Sequence, residues 1–271
     1  MMLHMARRLS GKRVLVVGAS AGIGRAIALK AAREGAAIAV AARRKEALEI
    51  LAQDVGGGTI IVADLSVSAD CARIADEAGA SLGKIDVVVF VAATARLRTL
   101  KNMTAAEWAV TLNTNLVGVN LTIAGLLPHL SEGALVMVAS SEAAGRPFYA
   151  LGAYAASKSA LEDTMRAWRI EQPEVRFITL VVGTTVPTEF ASNFDPQEMV
   201  AAFPIWAAQG NAPAEYMQVD EVADVTVGFI KSLLPNKTVG LETLSLRSPA
   251  PLTGSADTMI ETAAAMSPAS T

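Results

Sequence analysis

Short runs of valine, isoleucine and alanine alternate with stretches of helical periodicity along most of this chain, and that alternation restricts the fold more than any other feature. Residues 14–17 read as a strand that ends in a glycine-rich turn. Residues 23–34 follow as a helix, with Ile23, Ala26, Ile27 and Ala31 on one face and Gly35 just past its end. The same reading gives strands at 38–42, 59–63, 87–92, 135–139 and 176–182, and helices at 45–54, 68–82, 105–127 and 154–171. A last helix, 220–233, precedes a short strand at 242–246. Nearly continuous β-branched runs suit strands covered on both faces, and strand–helix alternation calls for right-handed crossovers. The expected fold is therefore α/β: one domain, residues 1–247, with a doubly wound parallel sheet of about seven strands and helices on both faces. Residues 248–271, rich in Ala, Ser, Thr and Pro, are expected to form a loosely structured tail.

Composition excludes several functions. Of 271 residues, 52% are hydrophobic and 18% charged, which is not the signature of a disordered chain. A net charge of −3 disfavours non-specific partners such as nucleic acid or an anionic membrane. Cys71 is the one cysteine, and His4 and His129 stand apart, so neither a disulfide nor a metal site is expected. Residues 1–13 lack a signal-peptide stretch, and the apolar runs 36–42 and 87–95 fall short of the roughly 20 residues of a membrane span. A cytoplasmic location is the expectation.

Three local patterns carry chemistry. Gly18-Ala19-Ser20-Ala21-Gly22-Ile23-Gly24 lies between the first strand and the first helix. Glycines there let backbone approach a pyrophosphate, whose charge the helix N-terminus favours. No Gly-Lys-Ser or Gly-Lys-Thr follows, so a P-loop reading fails. The second strand ends at Ala42, where a carboxylate would hold the ribose hydroxyls of NAD. Arg43 and Arg44 follow instead, and the planar fork of Arg43 suits a 2′-phosphate, so NADP(H) is favoured while NAD(H) stays possible. Tyr154 has Lys158 four residues on, the spacing that puts both side chains on one helix face. A phenol beside an ammonium has its pKa lowered and can act as a general acid or base.

The glycine spacing, together with Asp64-Leu65, Asn115, Ser141 and Tyr154-Ala-Ala-Ser-Lys158, resembles the short-chain dehydrogenase/reductase family, over roughly residues 9–246. The resemblance implies a Rossmann-like fold and hydride transfer between a nicotinamide and a carbonyl or secondary alcohol. It implies a catalytic set of Asn115, Ser141, Tyr154 and Lys158, with Asn115 linking Lys158 to a proton-relay water. Asn113 is the neighbouring alternative, and a mid-helix asparagine suggests a bent helix. Counting along the strand from Gly133 favours Ser140, whereas Ser141-Glu142-Ala143 resembles a recurrent family variant. The implied cofactor contacts are Gly18, Ser20, Ala21, Gly22, Ile23, Gly24, Arg43, Arg44, Asp64 (to the adenine), Leu65, Ala92, Tyr154, Lys158, Gly183 and Thr188. The chain departs from the family at Phe90-Val91-Ala92-Ala93, where Asn-Asn-Ala-Gly is usual, and at Val182-Gly183, where Pro-Gly is usual. The departures mark it as a divergent member.

Residues 187–216 break the rhythm with Pro196, Pro204, Gly210 and Pro213 among large apolar side chains. They are expected to be a mobile lid over a bulky, apolar small-molecule substrate. Family oligomers pair their long helices, so a homodimer or homotetramer is implied, with Val110, Leu121, Met165 and Trp168 as contact candidates. A non-catalytic redox sensor that only binds the dinucleotide is the competing class, and an epimerase- or dehydratase-like member is a further one.

Overall fold

A computed structural model describes residues 8–249. Seven strands form one parallel sheet: β1 (Arg13–Val17), β2 (Ala37–Ala42), β3 (Thr59–Val62), β4 (Ile85–Phe90), β5 (Leu130–Ser141), β6 (Arg176–Val182) and β9 (Thr243–Leu246). Their spatial order is β3-β2-β1-β4-β5-β6-β9, so the strand order reverses between β1 and β4. A doubly wound sheet opens its crevice at the carboxyl ends beside such a reversal. Helices α1 (Gly22–Arg33), α2 (Lys45–Asp54), α3 (Ser68–Leu82), α4 (Ala105–Leu112), α5 (Gly118–Leu126), α6 (Gly152–Glu171) and α8 (Val219–Leu233) connect them. The tail expected over residues 248–271 lies almost wholly outside the described residues.

Strand periodicity of two sorts the valines into two cores. Val14, Val16, Ile38, Val40, Val87, Val89, Leu135 and Met137 face α1, α2 and α8. Their neighbours Leu15, Val17, Ala39, Ala41, Val88, Phe90, Val136 and Val138 face α3, α5 and α6. Each fully buried Val, Leu or Phe side chain contributes about 1.5–3 kcal/mol. Cys71 is one of these core side chains, held at the α3 face.

The helical run Ala105–His129 has the length and apolar composition of a membrane span, which counting apolar runs did not anticipate. It is not a simple rod. A π-helical turn, Asn113–Val117, separates α4 from α5 and buries Asn115. That turn is the irregularity expected from a mid-helix asparagine. α5 packs on α3, and the π turn packs on α6, so one face of the run is built into the domain. Val110, Val117 and Leu121 stand exposed along it. Met165 corrects the expected contact set, because it is fully buried in the α6 face of the core and fronts no second copy; Trp168 is half-buried and stacks on Phe177.

The segment 187–216 is more regular than its broken rhythm suggests. A two-stranded clip, β7 (Thr185–Val186) with β8 (Met217–Gln218), brackets it, and it holds a 13-residue helix, α7 (Pro196–Ala208). Asp195 caps α7 by accepting from the Gln197 N–H at 2.7 Å, with Pro196 at the first helical position. Pro204 inside the helix hid it from periodicity. Phe194, Ala202 and Trp206 are buried against Leu151 and Tyr154, and the Trp206 indole donates to the Tyr149 carbonyl at 2.8 Å.

Candidate active site

The first half of the site is backbone. Gly18 has φ +95°, and a Cβ there would lie 2.4 Å from the Ala92 nitrogen. A Cβ on Gly24 would meet the Gly18 carbonyl oxygen at 2.3 Å and Val91 at 2.6 Å. So β1, α1 and the end of β4 close on one another without side chains between them, and Phe90 and Val91 supply apolar packing where asparagines are usual. Ala21, at the N-cap of α1, offers no side-chain cap, and the first turn of α1 carries no acidic residue. The free N–H groups of that turn suit an anion. The cradle therefore fits a dinucleotide pyrophosphate.

The second half is side chains at the ends of β5 and α6. Tyr154 and Lys158 are buried together on α6, and the Lys158 ammonium donates to the Ala139 carbonyl at 2.7 Å. Both serines border the cleft, and strand alternation turns their side chains apart. Ser140 points away and donates to Glu162 at 2.6 Å. Ser141 turns into the cleft, where its hydroxyl lies beside the Tyr154 phenol. Asn115 is fully buried behind them, whereas Asn113 is exposed. The Asn115 amide donates to the Thr94 carbonyl at 2.8 Å and to Ser157 at 3.0 Å, and its oxygen accepts from the Thr94 N–H at 2.8 Å. Ser157 in turn donates to the Tyr154 carbonyl at 2.7 Å. Asn115 thus ties the end of β4 to α6. Ser157 was missed in the sequence, although it sits within the Tyr154–Lys158 motif itself.

Electrostatics at the phenol run opposite to the sequence expectation. Burial pushes the Tyr154 phenol up to about 12, outweighing the Ser141 hydroxyl beside it. The Phe190 ring packs on Tyr154 with centroids 4.9 Å apart. Lys158 is aimed at Ala139, with its nitrogen 5.8 Å from the centre of the Tyr154 ring. Burial lowers Lys158 to about 8, partly opposed by the Glu162 carboxylate.

One cleft of about 530 Å³ joins the two halves. Every site residue expected from sequence borders it except Asn115, which stands behind the wall: Gly18, Ser20, Ala21, Gly22, Ile23, Gly24, Arg43, Arg44, Asp64, Leu65, Ala92, Ser141, Tyr154, Lys158, Gly183 and Thr188. Asp64 accepts from the Ser66 N–H at 2.8 Å and lies 3.9 Å from Arg43. Phe148, Phe190, Phe194, Phe203 and Trp206 line the end beyond Tyr154. Among the described residues no group of His, Cys, Asp and Glu could hold a metal ion.

Comparison with known proteins agrees with this geometry. The chain is 37% identical over 169 residues to a glycine betaine reductase of Emericella nidulans, covering 60% of this chain and 13% of that one. It is 32% identical over 199 residues to 11-beta-hydroxysteroid dehydrogenase-like 2 of Arabidopsis thaliana, covering 70% of this chain and 64% of the relative. The chain therefore spans less than two thirds of the length of these relatives. An alcohol dehydrogenase from Thermococcus sibiricus, complexed with 5-hydroxy-NADP, superposes with a TM-score of 0.75 at 30% identity, covering 88% of this chain and 97% of that one. A short chain dehydrogenase from Burkholderia cenocepacia in complex with NADP superposes with the same TM-score at 27% identity, covering 91% and 98%. The short chain dehydrogenase family model matches residues 12–199, and the chain belongs to that family.

Proposed function

We propose that this protein is an NADP(H)-dependent oxidoreductase that transfers a hydride between the nicotinamide and a carbonyl or secondary alcohol of an apolar small molecule. The observation that carries the reading is the placement of Ser141, Tyr154 and Lys158 in the same cleft as an uncapped helix N-terminus and two arginines. The NADP-type ligands of the Thermococcus and Burkholderia structures support the cofactor assignment.

When bound, the cofactor supplies or accepts the hydride; the chain's residues do the rest. A phenol pushed up to about 12 holds its proton at neutral pH and donates it to a carbonyl oxygen during reduction. The Ser141 hydroxyl binds that same oxygen and stabilises its developing charge. The Lys158 ammonium, fixed by the Ala139 carbonyl and 5.8 Å from the centre of the Tyr154 ring, favours the phenolate left behind. Asn115 is a positioning residue that fixes α6 against the end of β4. The aromatic end wall excludes water from the reacting atoms and selects apolar substrates. A binding-only sensor would leave the buried Tyr154 and Lys158, with Ser141 beside them, without a use. The exposed Val110, Val117 and Leu121 suit the homo-oligomer that belongs to this reading.

The cofactor assignment makes a direct prediction. Arg43→Ala weakens NADPH binding about tenfold and leaves NADH within about twofold, the scale of a lost charge-assisted hydrogen bond. Titration of both cofactors into both proteins checks it. Equal affinity of the unaltered protein for the two cofactors contradicts the assignment.

A further inference from the structure

We propose that Glu189 is a specificity-determining residue: its carboxylate competes with the 2′-phosphate of the cofactor for Arg44. The proposal rests on the NADP(H) reading above. Glu189 follows Thr188 at the start of the lid, and Arg44 follows the end of β2, 145 residues away in sequence. The two meet across the rim of the cleft. Arg44 presents its fork to both carboxylate oxygens, with Nη1 to Oε1 at 2.7 Å and Nη2 to Oε2 at 2.6 Å. The same guanidinium donates to the Ser20 hydroxyl, from Nη2 at 3.0 Å and from Nε at 3.3 Å. Arg44 is therefore held directly over the glycine-rich turn, with its bidentate edge turned to Glu189.

A phosphate dianion at Arg44 needs that same edge, because planar two-point pairing is what an arginine offers a phosphate. It either displaces Glu189 or sits beside a like charge. Both reduce the affinity gained from the 2′-phosphate, and neither touches a nucleotide that lacks it. The pair also has a route to the chemistry. Thr188 rests against Gly22, where a Cβ would meet its side chain at 3.6 Å, and Phe190 packs on the Tyr154 ring. Glu189 lies between these two contacts, so the pair is continuous with the cover over the phenol.

The test uses two probes without a nicotinamide, adenosine 2′,5′-bisphosphate and adenosine 5′-monophosphate, titrated calorimetrically into the full chain. Glu189→Gln tightens the bisphosphate about fivefold, the scale of an exposed ion pair, and leaves the monophosphate unchanged. In an Arg44→Leu background the same substitution gains nothing. Glu189 is more than half exposed, so the substitution leaves the fold intact. A preference of the unaltered protein for the bisphosphate that Glu189→Gln does not increase overturns the competition while the cofactor reading stands. Equal tightening of both nucleotides overturns it as well. If the unaltered protein does not prefer the bisphosphate, the cofactor reading itself fails, and the competition falls with it.

Discussion

Tyr154→Phe lowers turnover by about a thousandfold and leaves cofactor affinity within about twofold. A positioned general acid contributes roughly 10²–10⁴-fold, and only the phenolic hydrogen is lost. The ring still fills its place among Ala143, Leu151 and Trp206, and Phe190 still packs on it. The lost group is also the one whose protonation the fold controls. Burial holds the phenol protonated far above neutral pH, so reduction proceeds with the acid already charged with its proton. Steady-state rates with a reactive ketone, paired with a cofactor titration, separate the two effects. Activity retained within about tenfold, or 1.4 kcal/mol of barrier, assigns the proton to another residue.

Gly118→Ala destabilises the protein by about 3 kcal/mol, the upper end of what overpacking costs. A methyl at Gly118 would lie 1.9 Å from the Leu65 carbonyl oxygen, 2.8 Å from its carbon and 3.0 Å from the Asn113 oxygen. All three are backbone atoms, so no rotamer change relieves the clash. The site is also where the π turn brings α5 against the loop after β3. A Tm lower by roughly 6–12 °C is expected for a chain of this size. Gly228→Ala is the control: nothing lies within 4 Å of a Cβ there, in the middle of α8. That substitution stabilises by about 0.5–1 kcal/mol, because alanine orders a helix at lower entropic cost than glycine. Thermal unfolding that ranks the two variants the other way contradicts the packing described here.

Much of the fold was legible because strand burial writes itself into composition. The runs of β-branched residues on the parallel strands located the sheet, and the bounds of α2, α3 and β6 match the sequence reading. α7 escaped that reading because Pro204 interrupts its periodicity, although Asp195-Pro196 is a readable helix start. Asn115 was legible as a poor helix former inside an apolar run, and the structure supplied what the sequence lacked, its bonds to Thr94 and Ser157. Counting from Gly133 pointed to Ser140 and the resemblance to Ser141; the alternation of β5 places one toward Glu162 and the other toward the phenol. The direction of the Tyr154 shift follows from burial among side chains distant in sequence, and the Arg44–Glu189 pair joins residues that no local pattern connects.

The central claim is NADP(H)-dependent hydride transfer to an apolar carbonyl. Consumption of NADPH and of NADH, followed spectrophotometrically over a panel of bulky apolar ketones and small charged keto acids, tests it most directly. The account predicts ketone-dependent consumption with kcat/KM at least about tenfold higher for NADPH than for NADH, equivalent to 1.4 kcal/mol. It also predicts that the charged keto acids are poor substrates. Binding of NADPH with no carbonyl-dependent consumption, or a preference for NADH with the charged acids, would contradict it.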